Sequence, residues 1–352
     1  MRLKYIDSVK GFSMLLILWG HIVTFYDPLA HWASGFKVSL FYIVTGYLLA
    51  LRRKDSEELK KTPLKKLIIS SGVPYVFYSA ISLVVAAVLM ILRNEPFSFF
   101  SEKLFSFICL SGISTLWFLP SIFFGRLLFE RVYCVKGFRA LKISFLIVTP
   151  VILCASTEML LTSALSELLM KPMNVIIKAV AAWWFISIGF EGERIVDKLK
   201  EKGSRKAILT ALCLVSGSAL SFINRNVDFN NISLGSSPLL FFVGGVLCSF
   251  GIIGVFSFLT ERLPCALVQF AGKNSLFIMV SHMPLYIVPV ALLVFEKLIP
   301  GEGTALNYLR AAVVFASVLV LEWLLIRVKA FIVGAIEKRT ESETVKTVVR
   351  SL

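Results

Sequence analysis

Asp7 to His21, DSVKGFSMLLILWGH, places an acid, a base and an imidazole in a segment otherwise apolar enough to enter a membrane. In an α-helix the eleven-residue step from Lys10 to His21 is three turns plus about 20° of rotation, so both project from one face about 16 Å apart along the axis. Asp7 lies one turn before Lys10 on nearly the same stripe. Ionisable groups in a spanning helix cost free energy and usually face a bundle interior or a wet cavity, so such a stripe reads as a site. For Asp7 and Lys10 alone a place at the water interface is an equal reading. It does not cover His21, which lies well inside the run.

Working outward, the 352 residues are 57% hydrophobic and 17% charged, with a mean hydropathy of +0.82, beyond what a soluble domain uses. The composition is that of an all-α, polytopic transmembrane helical bundle. A net charge of +15 raises nucleic acid as a partner, but the basic residues sit in the loops between apolar runs, which is the pattern of cytoplasmic loops in a membrane protein. A lipid bilayer is therefore the expected partner, and nucleic acid is not. The six cysteines show neither CxxC nor metal spacing and read as small core hydrophobes; no bound metal or resident cofactor is expected. The first run has a charged start like a signal peptide, but it contains His21, lacks a small-residue cleavage pattern and leads into another span, so it is expected to stay attached.

About 20 apolar residues cross the hydrocarbon core. On that basis about ten spans are predicted, at 10–27, 36–51, 67–92, 115–130, 143–165, 174–190, 207–223, 238–259, 273–298 and 309–336. Residues 97–114 are aromatic but interrupted by Ser, Glu and Lys, and read as an interfacial or re-entrant piece. One side collects Arg2, Lys4 and Lys10, the run from Arg52 to Lys66, Arg131 to Lys142, Arg194 to Lys206, and the final tail. Both termini are accordingly predicted to be cytoplasmic, with His31 in a short outer loop and 224–237 the longest outer one. The chain divides into a membrane-embedded domain over 1–338 and a short polar tail over 339–352.

Three further segments carry groups that a lipid-facing helix does not need. The second span holds Lys37 and ends FYIVTGY (41–47), whose Thr45-Gly46 pair lets another helix approach closely. The fourth holds LWFLPSIFFGR (116–126), with Trp117 before a proline and Arg126 deep enough to need a partner or a snorkelling path. The ninth holds GKNSLFIMVSHMPLY (272–286), where Ser275 and His282 are seven residues apart and share a helix face.

In this order the segments resemble the bacterial acyltransferase family 3, integral membrane enzymes that acylate surface glycans and other hydroxylated acceptors, with relatives among fucose 4-O-acetylases. The family's opening pattern of a basic residue, ten residues and a histidine is matched by Lys10 and His21. Phe41, Thr45, Gly46 and Tyr47 are similar to its second-span pattern, Leu116 to Leu119 to its Leu-Trp-Phe-Leu, and Gly272, Ser275, His282 and Pro284 to its late Gly-x-x-Ser and His-x-Pro. There are departures. Ile68 and Ser71 stand where many members carry Arg-x-x-Arg, with Lys65 and Lys66 the nearest basic residues, and Met279 replaces a tyrosine of the late pattern.

The resemblance implies an O-acyltransferase of the cell (cytoplasmic) membrane that takes its acyl group, most simply acetyl, from acyl-CoA and passes it to a hydroxyl of a saccharide or glycolipid. Such a transfer needs a base for the hydroxyl proton, a stabilised oxyanion and a dry, positioned site. His21 is the best base in the chain, since imidazole's intrinsic pKa lies nearest neutrality. Lys10, with Asp7 beside it, would hold a phosphate or carbonyl of the donor at the cytoplasmic rim, with Lys65 and Lys66 assisting. Lys37, Trp117, Arg126, Ser275 and His282 are candidate acceptor-binding residues. Each has a plainer role: Ser275 bonding backbone or a neighbouring helix, His282 a buried structural group, Trp117 a packing or interface anchor. A secondary transporter or glycolipid flippase is the alternative from another class, because intramembrane charges suit it equally.

Overall fold

The computed structural model describes residues 3–56, 61–133, 139–162, 167–200, 203–263, 265–340 and 342–352; Arg2, Lys60, Lys136 and Lys202 of the basic loops lie outside them. Helices α1 (Lys4–Ile22), α2 (Pro28–Ser34) and α3 (Lys37–Ser56) come first, then α4 (Leu64–Leu67), which runs through a π-turn at Ile68–Gly72 into α5 (Val73–Arg93). Next, α6 (Phe97–Ile108) leads through a 3-10 turn at Ser114–Trp117 into α7 (Phe118–Tyr133), followed by α8 (Arg139–Thr162), α9 (Glu167–Glu191) and α10 (Glu193–Lys200). The remainder is α11 (Ser204–Ile223), α12 (Pro238–Arg262), α13 (Ala266–Lys273), α14 (Ser275–Ser281), α15 (Ile287–Leu298), α16 (Thr304–Arg339) and α17 (Glu343–Ser351). Among the described residues the extended pairing is confined to one isolated bridge between Asp228 and Ser233.

Five stretches are long and apolar enough to cross a membrane: Leu64–Arg93, Leu169–Glu191, Ser204–Ile223, Pro238–Thr260 and Thr304–Arg339. The α2–α3 pair, bent by 41°, makes a sixth if taken as one span. Their outward side chains are apolar, as at Ile91 (71% exposed), Val215 (67%) and Phe331 (79%), which water would penalise and lipid does not. This is a multi-pass membrane protein. Helix α1 is absent from the five because the polar and ionisable residues that make it a candidate site also lower its apolarity.

By contacts the described chain forms two compact units. The first comprises Met1–Gly20, Phe25–Thr62 and Phe124–Lys273. Within it α11 runs along α12 and α3 along α9. The α3–α9 approach is set by two glycines: a Cβ at Gly46 would overlap the Ile186 carbonyl, and one at Gly189 the Ile43 carbonyl. Bare backbones in contact gain dispersion where no water-driven term acts, which is the close approach expected of Thr45-Gly46. Thr45 Oγ1 donates to its own helix at Phe41 O (2.8 Å).

The second unit comprises His21–Thr24, Pro63–Phe123 and Asn274–Leu352. Its core joins Tyr75 and Tyr78 of α5 to Ile113, Leu116, Leu119 and Val280. Tyr75 donates its hydroxyl to Phe107 O (2.8 Å), which ties α6 to α5. Helix α6 has 12 residues, a rise of about 18 Å. That falls short of the hydrocarbon core, as an interfacial or re-entrant piece requires.

Three sequence expectations change. The apolar run 273–298, read as one span, is broken: α14 stops at Ser281, and Tyr286 takes φ 59° before α15 begins. Pro284 is the cause, because it lacks an N–H and disfavours helical geometry in the residue before it. The segment holding His31, expected as a loop, is helical, since Asp27 accepts Ala30 N–H (2.6 Å) as N-cap of α2 and Pro28 fills its first position. His31 stacks on Phe222 there, with ring centroids 5.8 Å apart. The polar tail is also helical at α17, where Tyr78 donates its hydroxyl to Leu352 O (2.7 Å).

Candidate active site

Helix α1 is continuous from Lys4 to Ile22, so the Lys10 to His21 spacing falls on one helical surface as the sequence predicts. Asp7 is buried and Lys10 partly so. In the first unit this part of α1 lies directly on α13. A Cβ at Gly11 would overlap the Val268 carbonyl, and one at Gly272 the Asp7 carbonyl, so both glycines are required by backbone contact. Gly272 therefore acts where the acid of the stripe is held. Further along α1, Ser13 Oγ donates to Lys37 O, and a Cβ at Gly20 would lie 2.7 Å from Lys37 Nζ. The Lys37 ammonium thus lies against Gly20 of α1.

In the second unit His21 meets His282, with ring centroids 5.4 Å apart and planes tilted by 47°. His282 is fully buried at the end of α14. Its Nδ1 lies 2.5 Å from Ile278 O. A carbonyl can only accept, so the proton is on Nδ1 and the lone pair on Nε2. That Nε2 has no hydrogen-bond partner among the described residues. Beside it, Ser281 Oγ lies 2.7 and 2.8 Å from the two carboxyl oxygens of Glu322, which is 1% exposed. Thr115 Oγ1 donates to Met279 O (2.8 Å), pinning α14 to the turn before α7. The structure thus gathers two imidazoles in the second unit, with a hydroxyl and a carboxyl adjoining His282.

This combination fits proton transfer at a hydroxyl. The model of the family described as an acyltransferase domain, acyltransferase 3, matches residues 3–327. The chain belongs to the acyltransferase 3 family. No curated protein and no solved structure matches it significantly. The match covers every motif of the sequence reading, and with the membrane helices it makes the protein a membrane acyltransferase.

The other expected site residues of this acyltransferase fall in both units. Arg126 has a partner: its Nε pairs with Glu130 Oε1 (3.2 Å) and its Nη2 donates to Thr62 Oγ1 (2.7 Å), while Thr62 N–H donates to Glu130 Oε2 (2.9 Å). This closed ring neutralises the guanidinium on α7 and fixes the segment after the basic loop. Lys65 and Lys66 are exposed on α4, one turn before the π-turn. Trp117 is partly buried, its ring edge-on to Phe118 at 6.1 Å. Ser275 opens α14.

Sequence reading missed Ser281 and Glu322. Glu322 stands alone in a run that otherwise reads as a plain span, and a lone charge in a span was the available signal.

Proposed function

We propose that this acyltransferase moves an acyl group, in the simplest case acetyl, from acyl-CoA to a hydroxyl of a cell-surface saccharide or its lipid-linked precursor, with His21 as general base. The observation that carries the reading is the His21–His282 pair, a base beside a second ring whose buried Nε2 presents a lone pair. His21 takes the acceptor's hydroxyl proton as that oxygen attacks the thioester carbonyl carbon. The tetrahedral intermediate expels the CoA sulfur as the C–S bond breaks, and the imidazolium returns its proton to the departing thiolate. Lys10, directed by Asp7, meets the donor's phosphates or carbonyl, and Lys65 and Lys66 are further donor contacts. Lys37, Trp117, Arg126, Ser275 and His282 serve the acceptor, Trp117 by stacking on a sugar ring.

The test reconstitutes the protein with labelled acyl-CoA and a hydroxylated acceptor. Label should appear on the acceptor with one free CoA released per ester. The break between α14 and α15 beside polar groups is also a feature of transporters. Movement of an intact solute without CoA release would select that reading instead.

Two further results are expected. Both termini lie on the cytoplasmic side of the cell membrane and 224–237 outside, so reporter fusions at the C-terminus and at Asn230 should give opposite signals. An extracytoplasmic C-terminus would overturn this topology. At the donor end, Lys10→Arg should retain most acyl-CoA affinity, because charge is kept, and Lys10→Glu should abolish it by repelling phosphate. Equal affinities for the two purified variants would remove Lys10 from the donor site.

A further inference from the structure

In the second unit the buried carboxyl of Glu322 has no part in the transfer described above. It stands near the middle of α16, is 1% exposed, and among the described residues no cation pairs with it. Lys329, two turns farther along the same helix, sets its Nζ over the Phe277 ring, 5.0 Å from the centroid. A lone anion at Glu322 would be expensive, because neither water nor an opposite charge would compensate its burial.

The hydrogens around Ser281 show how that cost is avoided. Ser281 Oγ lies 2.7 Å from Phe277 O, 2.7 Å from Glu322 Oε1 and 2.8 Å from Oε2. A backbone carbonyl and a carboxylate can only accept, and the hydroxyl has a single proton to give. With Glu322 ionised, two of the three contacts would set bare oxygen against bare oxygen. With Glu322 neutral, its O–H donates to Ser281 Oγ, and Ser281 donates in turn to Phe277 O, the usual back-bond of a helical serine.

This chain of hydrogen bonds ends on the turn that carries His282. Phe277 and Ile278 supply neighbouring carbonyls of α14, and Ser281 occupies one while His282 Nδ1 occupies the other. Helix α14 has 7 residues and is not continued into α15, so its end must be held from outside. Thr115 holds it at Met279 O (2.8 Å) from the turn before α7, and Glu322 holds it at Ser281 from α16.

We propose that Glu322 is a positioning residue that works as a neutral carboxylic acid: it donates to Ser281, fixes the last turn of α14 and so aims the His282 ring at the acceptor. This rests on the acyl-transfer reading, in which His282 serves the acceptor, and adds to it a residue that touches no substrate. A carboxyl kept neutral in an apolar site so that it can donate is an established use of that group.

The experiment uses the whole purified protein in detergent. Infrared absorption reads the acid directly: at neutral pH wild type should show the C=O band of a protonated carboxyl, and Glu322→Gln should remove it. In the transfer assay Glu322→Gln should keep turnover close to wild type, since its amide N–H replaces the acid O–H toward Ser281. Glu322→Leu, of similar size but without a donor, should lose roughly ten- to hundredfold in kcat with acyl-CoA affinity unchanged, the scale of a slightly misplaced group. Ser281→Ala should lose as much, and the double variant no more than either single one. If Glu322→Leu does not fold, Ser281→Ala, which deletes one atom, stands in for it. A missing band, or a Glu322→Gln variant as slow as Glu322→Leu, would make Glu322 an anion and overturn the proposal. A wild-type rate from Glu322→Leu, or additive losses in the double variant, would overturn the positioning role. A band that Glu322→Gln removes, in a protein that transfers no acyl group, would uphold the neutral acid and sink the acyl-transfer reading.

Discussion

His21→Ala is expected to insert and fold as wild type does and to lose acyl transfer by about 10²- to 10⁴-fold, the usual contribution of a positioned base. The side chain ends α1 and is partly exposed, so its removal opens little space in the core. The loss should appear in turnover and not in acyl-CoA affinity, because the donor's phosphates are bound about three helical turns away by the reading proposed above. His21→Gln should do little better, since an amide fills the volume and cannot take the proton. Single-turnover kinetics alongside acyl-CoA binding on each variant checks both halves. A wild-type rate from His21→Ala would end the role given to this residue.

The second large effect belongs to Gly272. A side chain there would enter the carbonyl of Asp7, and Gly11 faces the same seam from the other side, so neither backbone can yield without parting α1 from α13. Gly272→Leu should therefore cost about 3 kcal/mol or more, the upper part of the range for overpacked interiors. Gly272→Ala should already be harmful, because even a Cβ overlaps. Thermal unfolding in detergent measures this directly. Unchanged stability in Gly272→Leu would show that the two helices are not in contact at this seam.

Hydropathy made the membrane class and the long helices legible, because α9, α11, α12 and α16 are predominantly apolar runs long enough to span. The Lys10 to His21 stripe was legible for a related reason: on a straight helix, spacing fixes the face. What stayed hidden depends on contacts between distant segments. The break in 273–298 was signalled by Pro284, but unbroken apolarity on both sides made the run read as one span. Nothing local to His282 announces His21 as its neighbour, 261 positions away in the chain. Glu322 sits in VLVLEWLL, which a hydropathy window averages away, and only packing reveals that it meets Ser281. Arg126 shows the converse: its depth predicted a partner, and Glu130 one turn on supplies it.

The break after α14 also has an electrostatic consequence. A helix ends in carbonyls without intrahelical partners, and its aligned peptide dipoles leave about half a negative charge there. His282 caps α14 and His21 lies in the last turn of α1, so two such negative ends adjoin one pair of imidazoles. An unbroken helix over 273–298 would have carried its negative end farther along the chain, past Leu298. Ending at Ser281, α14 instead sets a fixed backbone field beside the imidazole pair, a field that would favour the positive form of the ring proposed above as the base.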